Sequence, residues 1–395
     1  MTRRLFAGLC GLVFLVNLGR VGFAPLVPTI GTEFAASPAV VGSVTTLVWV
    51  GSALPRIPVG YLLTRVPRHY VVLGSGVALA LAAAFTGSAE TIRQLQMGAL
   101  CIGLASGAYF VAAVPLVAEL FPNARGRAIG THGSASQLAA VLAPGIVVTV
   151  LLVAGWGAVF HLLAVVSLVV TAALIVIIRR NPLPSGTDAD RNFRSALGHW
   201  PVILVGVVIV GAPGFVWQGV FNFYVTYLIG TKGLSSGLAN ALLTVVFAAG
   251  LPAFWLGGRL ADRLPHVPYL LAILWCFSVA LSALVFAESV AALVVVTVLL
   301  GFVIHALFPA IDTFMLESLP PGNRASAYAV FSGVAMGLEA TGSGVTGFVA
   351  EAVGFDVTFA AGAIGVLLVG GFIGGIHLLG RLPGKNHDSS NTENG

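Results

Sequence analysis

An all-α membrane protein, built as twelve transmembrane helices in two pseudo-symmetric six-helix bundles, is the fold class this sequence predicts, and three observations predict it. Of 395 residues, 58% are hydrophobic and only 8% charged, and the mean hydropathy of +1.01 lies far outside the range of soluble chains. Apolar windows of about 20 residues, the length that crosses hydrocarbon as a helix, recur along almost the whole chain. Of the 19 Lys and Arg, all but Arg93, Lys232, Arg20 and Arg56 fall on alternate connections and so on one face. A β-barrel would need alternating polar and apolar residues over about ten-residue strands, and stretches such as FHLLAVVSLVVTAALIVII do not alternate.

The elements follow in order. Span 1 (5–30) comes after the basic pair Arg3 and Arg4 and runs to Ile30 without a small-residue cleavage site, so it reads as a retained helix. Span 2 (39–63) holds Arg56 between Pro55 and Pro58 in an otherwise apolar run. Spans 3 (70–89), 4 (94–118), 5 (128–153) and 6 (157–178) complete an N-terminal bundle, residues 1–178. The polar stretch 179–199 reads as a cytoplasmic linker. Spans 7 (200–229), 8 (236–257), 9 (268–287), 10 (290–316), 11 (327–350) and 12 (357–380) form a C-terminal bundle, residues 200–380. The tail, 381–395, is polar and expected to be a disordered cytoplasmic segment. By the positive-inside rule both termini are cytoplasmic, as an even number of spans requires, and the expected location is the plasma membrane.

Composition and spacing also exclude several classes. The basic pI of 9.4 comes from this one-sided loop charge, not from a nucleic-acid patch. Cys10, Cys101 and Cys276 all fall in predicted helices, which argues against a disulfide framework, and they lack metal-site spacing. No Ser/His/Asp grouping, H-E-x-x-H or Gly-rich phosphate loop occurs, so neither an enzyme, nor a bound cofactor or metal, nor ATP drive is expected. The expected partners are a small-molecule solute, protons and the lipid bilayer, with no nucleic acid, and the chain is expected to be a monomer.

Setting residue i against i+198 aligns GYLLTRVP (60–67) with GRLADRLP (258–265), Glu119 with Glu317 and Pro122 with Pro320; one inserted residue later, Arg125 meets Arg324. Spans 1–6 therefore repeat as spans 7–12. Because six is even, the repeat is parallel about an axis normal to the membrane, a pairing that can rock about a central site.

These loops carry a family resemblance. GRLADRLPH is similar to the G-x-L-A-D-R-x-G-R loop between spans 2 and 3 of the major facilitator superfamily, and ELFPNARGRAIG to the acidic-Pro-Arg-Gly-Arg loop after its span 4. Thr64 and Pro67 depart from the first-half copy, and AAVLAPG (139–145) keeps only part of the span-5 glycine pattern. The resemblance covers nearly the full chain and implies a secondary transporter working by alternating access. It implies that spans 1, 4, 7 and 10 line the cavity, flanked by 2, 5, 8 and 11. It also implies a gating role for Asp262 with Arg263, and for Arg65, Glu119 and Arg125 around it; loop orientation by charge is the plainer account of these basic residues. RIPVG in span 2 also resembles the nitrate/nitrite porter branch, whose second arginine, in span 8, falls here at about Phe254.

Ionisable groups deep in spans carry the functional reading. Arg20 lies about 22 Å into span 1 at 1.5 Å per residue, Arg56 well inside span 2, His305 mid-span 10 with Asp312 two turns on, and Glu339 mid-span 11. A charge at the bilayer centre costs about 3 kcal/mol on insertion scales, so such groups face a bundle interior or a wet cavity. A guanidinium keeps its charge at ordinary pH and presents a fork suited to oxyanions, so Arg20 and Arg56 are candidate anion ligands. Pairing across the interface with Glu339 or Asp312, as a conformational switch, is the competing account. Arg20 maps by the repeat onto Gln218, which shares a helix face with Asn222 four residues on; the two read as a wall of the binding site or as interhelical hydrogen bonds. Glu339 is the first candidate for proton coupling, Asp312 the second and His305 the third. The functional expectation is a proton-coupled carrier of a small anionic or polar solute, with proton-driven export of hydrophobic compounds as the alternative.

Overall fold

The computed structural model describes residues 2–63, 65–121, 125–179, 197–319 and 324–382, and every element among them is helical. Nine spans are single helices: Arg68–Gly87, Ile92–Leu120, Arg125–Leu151, Gly157–Arg179, Trp200–Gly230, Ser236–Ala261, His266–Phe286, Val290–Ser318 and Phe355–Leu378. Each predicted span lands on its helix to within a few residues. Thr64, most of the 179–199 linker and nearly all of the tail lie outside the described residues, as do the side chains of Arg125 and Arg324.

The other three spans are broken. Span 1 runs as Thr2–Val21, a 3-10 turn at Ala24–Leu26, and Val27–Glu33; span 2 as Pro38–Ala53 and Arg56–Leu62; span 11 as Arg324–Ala340 and Gly342–Val353. Pro25, Pro28 and Pro55 lie at the first two breaks, where proline cannot supply the amide that continues a helix. Span 11 breaks without proline, at the glycine- and serine-rich TGSG. Its pieces of 17 and 12 residues are each shorter than a bilayer crossing, whereas the other eleven spans, with the pieces of span 1 and of span 2 taken together, are each long and apolar enough to cross. Pro144, Pro213 and Pro252 sit inside continuous helices.

The repeat is written into helix starts and packing. Span 4 is capped by Thr91, whose side chain accepts from the Gln94 amide, and span 10 by Ser289, its counterpart 198 residues on, accepting from Ala292. Gly103 lies directly against the Val48 carbonyl between spans 4 and 2, and Gly301 against the Val246 carbonyl between spans 10 and 8, the same contact at the same offset. A β-carbon at either glycine would overlap that carbonyl, so the residue sets how closely the helices approach.

The halves meet most closely at the face opposite the basic loops. There Gly42 of span 2 lies under the Ser343 carbonyl, Gly347 of span 11 lies against the Pro38 carbonyl, and the Gly344 amide donates to Thr46 Oγ1 at 2.8 Å. The outer piece of span 1 packs on span 7 at the same end, and span 5 packs along span 8. Sealing one end between the halves leaves a cavity at mid-depth.

Candidate substrate cavity between the halves

The breaks in spans 1, 2 and 11 place the deep charges. Arg20 sits in the last turn of Thr2–Val21, where the exposed carbonyl ends of the helix favour a cation. Arg56 opens the short helix after Pro55, and Glu339 lies one residue before the end of Arg324–Ala340, each at the helix end that its charge disfavours. Relief for both must come from across the cavity.

That cavity holds about 270 Å³ and is lined from both halves, with Arg20, Arg56, Gln218, His305 and Glu339 among its wall residues. The two largest hollows, of about 760 and 530 Å³, open on the outer flanks of spans 2–4 and of spans 7, 11 and 12 without a charged side chain, and two others, of about 340 and 290 Å³, lie within the second half near the ends of its helices, the first beside His266 and Glu317 and the second beside Arg381; none of the four is lined from both halves. Chemistry therefore points to the smaller, central one.

Arg20 is 7% exposed, and its guanidinium lies between the rings of Trp49 and Phe110, 4.8 and 4.5 Å from their centroids. Such cation–π contacts are worth about 2 kcal/mol when desolvated and leave the guanidinium edge for hydrogen bonds. One Nη donates to Asn17 Oδ1 at 2.6 Å, and Asn17 in turn donates to the Ser136 carbonyl at 2.7 Å, anchoring the arrangement to span 5. Arg56 reaches across to the second half and donates to Ser332 Oγ of span 11. Arg20 and Arg56 lie within electrostatic range of one another, and Arg56 within range of Glu339. The Glu339 carboxylate makes no hydrogen bond or direct ion pair with the described residues; Gly214 of span 7 makes room for it, since a β-carbon there would lie 2.6 Å from its Cδ. Nε of Arg20, Nε of Arg56 and the indole N–H of Trp49 are buried donors without acceptors.

The second half supplies rings. His305 lies edge-on to Trp217, Phe247 and Phe254 with centroids 5.8–6.0 Å away, and its Nδ1 is 2.6 Å from the Gly301 carbonyl. A carbonyl only accepts, so Nδ1 carries the hydrogen. Gly250 permits the approach, its notional β-carbon falling 2.7 Å from the imidazole. Gln137 of span 5 closes the side by donating to the Phe247 carbonyl at 3.2 Å.

Five of the seven residues expected to bind solute or protons thus converge on one cavity. The other two are placed elsewhere. Asn222 is buried in the seam between spans 7 and 11, donating to Ser343 Oγ at 2.8 Å and to the Gln218 carbonyl at 2.8 Å. Asp312 lies below the cavity, accepting from Tyr328 Oη at 2.5 Å. No carboxylate pairs directly with Arg20 or Arg56 among the described residues.

At the basic face, Asp262 and Arg263 are exposed, and their side chains have no partner among the described residues. Arg65 stacks on Tyr61 at 4.9 Å and donates to its hydroxyl. Glu119 pairs with Arg68, and 198 residues on Glu317 pairs with His266 at 2.7 Å. The loop partners of the span-4 and span-10 acids are thus Arg68 and His266. The repeat offset, which carries 68 onto 266 and 119 onto 317, was the signal that could have found them. Trp49, Phe110, Phe247 and Phe308 were also missed, because apolar and aromatic residues on membrane helices have no distinguishing pattern until packing is known; Gln137, a polar residue within span 5, was overlooked although its type was the signal.

Twelve spans in two repeated halves around a central polar cavity define a multi-pass membrane transporter fold. The Major Facilitator Superfamily model matches residues 9–287 and again 218–394, and the chain belongs to that family. Its structure is similar to that of a bacterial homologue of the human lysosomal transporter Spinster in an inward-facing, occupied conformation, at 17% identity, with 95% of this chain and 96% of that one covered and a TM-score of 0.77. The inward-facing, unoccupied form of that homologue matches at 15% identity, 94% and 96% coverage and a TM-score of 0.75. No curated protein matches the chain in sequence.

Proposed function

We propose that this transporter moves a small anionic solute together with protons by alternating access. The observation carrying this reading is the set of groups that line one cavity from both halves: two fixed cations, a single carboxylate without a hydrogen bond among the described residues, and three buried donors lacking acceptors. With Glu339 ionised the lining keeps one positive charge in excess, and an oxyanion supplies both the missing negative charge and the missing acceptors. Protonation of Glu339 removes the competing anion beside Arg56, so solute and proton bind best together. Arg56–Ser332 crosses between halves, so occupancy at Arg56 is coupled to how the halves meet. Asp262 and Arg263 are proposed to close the basic face in the other state, with both termini cytoplasmic and the chain in the plasma membrane.

The aromatic second-half wall favours a second reading, export of hydrophobic compounds. An uptake screen of inorganic and organic anions in proteoliposomes, with and without an inward proton gradient, separates the two. The accepted anion should accumulate only with the gradient, and Arg56→Gln should reduce it to the rate of protein-free liposomes. Unchanged transport of every accepted solute in that variant would end the anion-site reading.

A further inference from the structure

The cavity sets its cations among aromatic rings, Arg20 between Trp49 and Phe110 with Trp49 edge-on to Phe221, and this deepens the anion reading, on which it rests. We propose that the solute is a ring-bearing monocarboxylate: a flat unsaturated ring with a single carboxylate, of the size of benzoate or phenylacetate.

Size, with charge, sets the carboxylate number. Arg20 and Arg56 offer two cations to one cavity of about 270 Å³, which has room for a ring and a single acid group. With Glu339 protonated that carboxylate has both guanidiniums to itself, and with Glu339 ionised it brings the lining to neutrality.

Ring geometry sets the body. Phe254 and Phe308 lie nearly parallel at 16° with centroids 6.1 Å apart, and Trp217 and Phe221 at 22° and 6.0 Å. Phe247 turns its edge to the second pair, 79° from both Trp217 and Phe221, and His305 turns its edge to members of both pairs. The wall therefore presents flat faces and edges, the two approaches that aromatic rings prefer to offer each other. Inorganic oxyanions and short aliphatic acids would leave this wall unfilled. At about 270 Å³ the cavity sits at the small end of ligand sites, which limits the body to one ring system. Nε2 of His305 is left as the one imidazole acceptor within that wall.

The test is counterflow in proteoliposomes at equal pH, with labelled benzoate inside and benzoate, phenylacetate, acetate, nitrate or benzamide outside. Benzoate and phenylacetate should exchange at least about tenfold faster than acetate or nitrate, the margin expected from burying one ring face, and benzamide should not exchange. Phe254→Leu should bring the benzoate-to-acetate ratio towards one while acetate exchange persists, which also shows that the variant is folded. Arg20→Gln should abolish exchange of both acids. Acetate or nitrate exchanging as fast as benzoate overturns the ring assignment and leaves the anion site standing. Benzamide exchanging as fast as benzoate, with Arg20→Gln indifferent, overturns the anion site itself. No exchange of any of the five compounds also overturns the assignment.

Discussion

The two halves share a scaffold and furnish it differently. At equivalent positions Thr91 and Ser289 cap helices, Gly103 and Gly301 lie against a neighbouring carbonyl, and an acid at the end of spans 4 and 10 meets the start of spans 3 and 9. Facing the cavity, equivalence stops: the first half presents Arg20 and Arg56 with Trp49 and Phe110, the second Glu339, His305 and the larger share of the aromatic rings. Arg20 and its counterpart Gln218 both line the cavity, one charged and one neutral. Residues kept between copies hold backbones in place, and residues that diverged face the solute. The repeat therefore separates scaffold from site within one sequence.

The sharpest way to break this comparison is to remove Glu339, the one carboxylate among the described residues that lines the cavity. Glu339→Gln should reduce gradient-driven accumulation to background while leaving solute exchange at equal pH within a few-fold of the parent, because binding survives and coupling does not. Accumulation that persists in this variant would move proton coupling elsewhere, with Asp312 and its Tyr328 bond the next candidate. A smaller effect is expected where the halves agree. Gly103→Leu and Gly301→Leu each force a side chain into a neighbouring carbonyl, and each should cost about 1–3 kcal/mol, read as matched falls in melting temperature in detergent. A fall in one variant alone would show that the shared contact supports only one bundle.

Much of this was legible before any coordinates. Hydropathy placed all twelve spans, since burying backbone in lipid leaves the chain little choice but long apolar helices. The cost of burying charge also marked Arg20, Arg56, His305 and Glu339, all of which reach the cavity. What stayed hidden depends on packing. Asn222 has the right spacing to share a wall with Gln218, yet Ser343 offers a hydroxyl from span 11 and draws it into the helix seam. Asp312 is also charged within a span, but it lies two turns past His305, and Tyr328, four residues before Ser332 on span 11, captures it below the cavity. The break in span 11 had no proline to announce it, although glycines 342 and 344 with Ser343 between them were in plain view.

The smallest expected effect lies at the basic face, where the two copies differ in one chemical property. Arg68 holds Glu119 with a charge that does not titrate at ordinary pH, whereas His266 holds Glu317 with a charge present only when the imidazole is protonated. Both pairs are partly open to solvent, so Glu119→Gln and Glu317→Gln should each lower the melting temperature by the equivalent of no more than about 1 kcal/mol. The larger fall is expected for Glu119→Gln, because its guanidinium partner is the more buried of the two and would be left without its acid. Falls of equal size in the two variants would mean that the chemical difference between the two latches has no energetic consequence at this face.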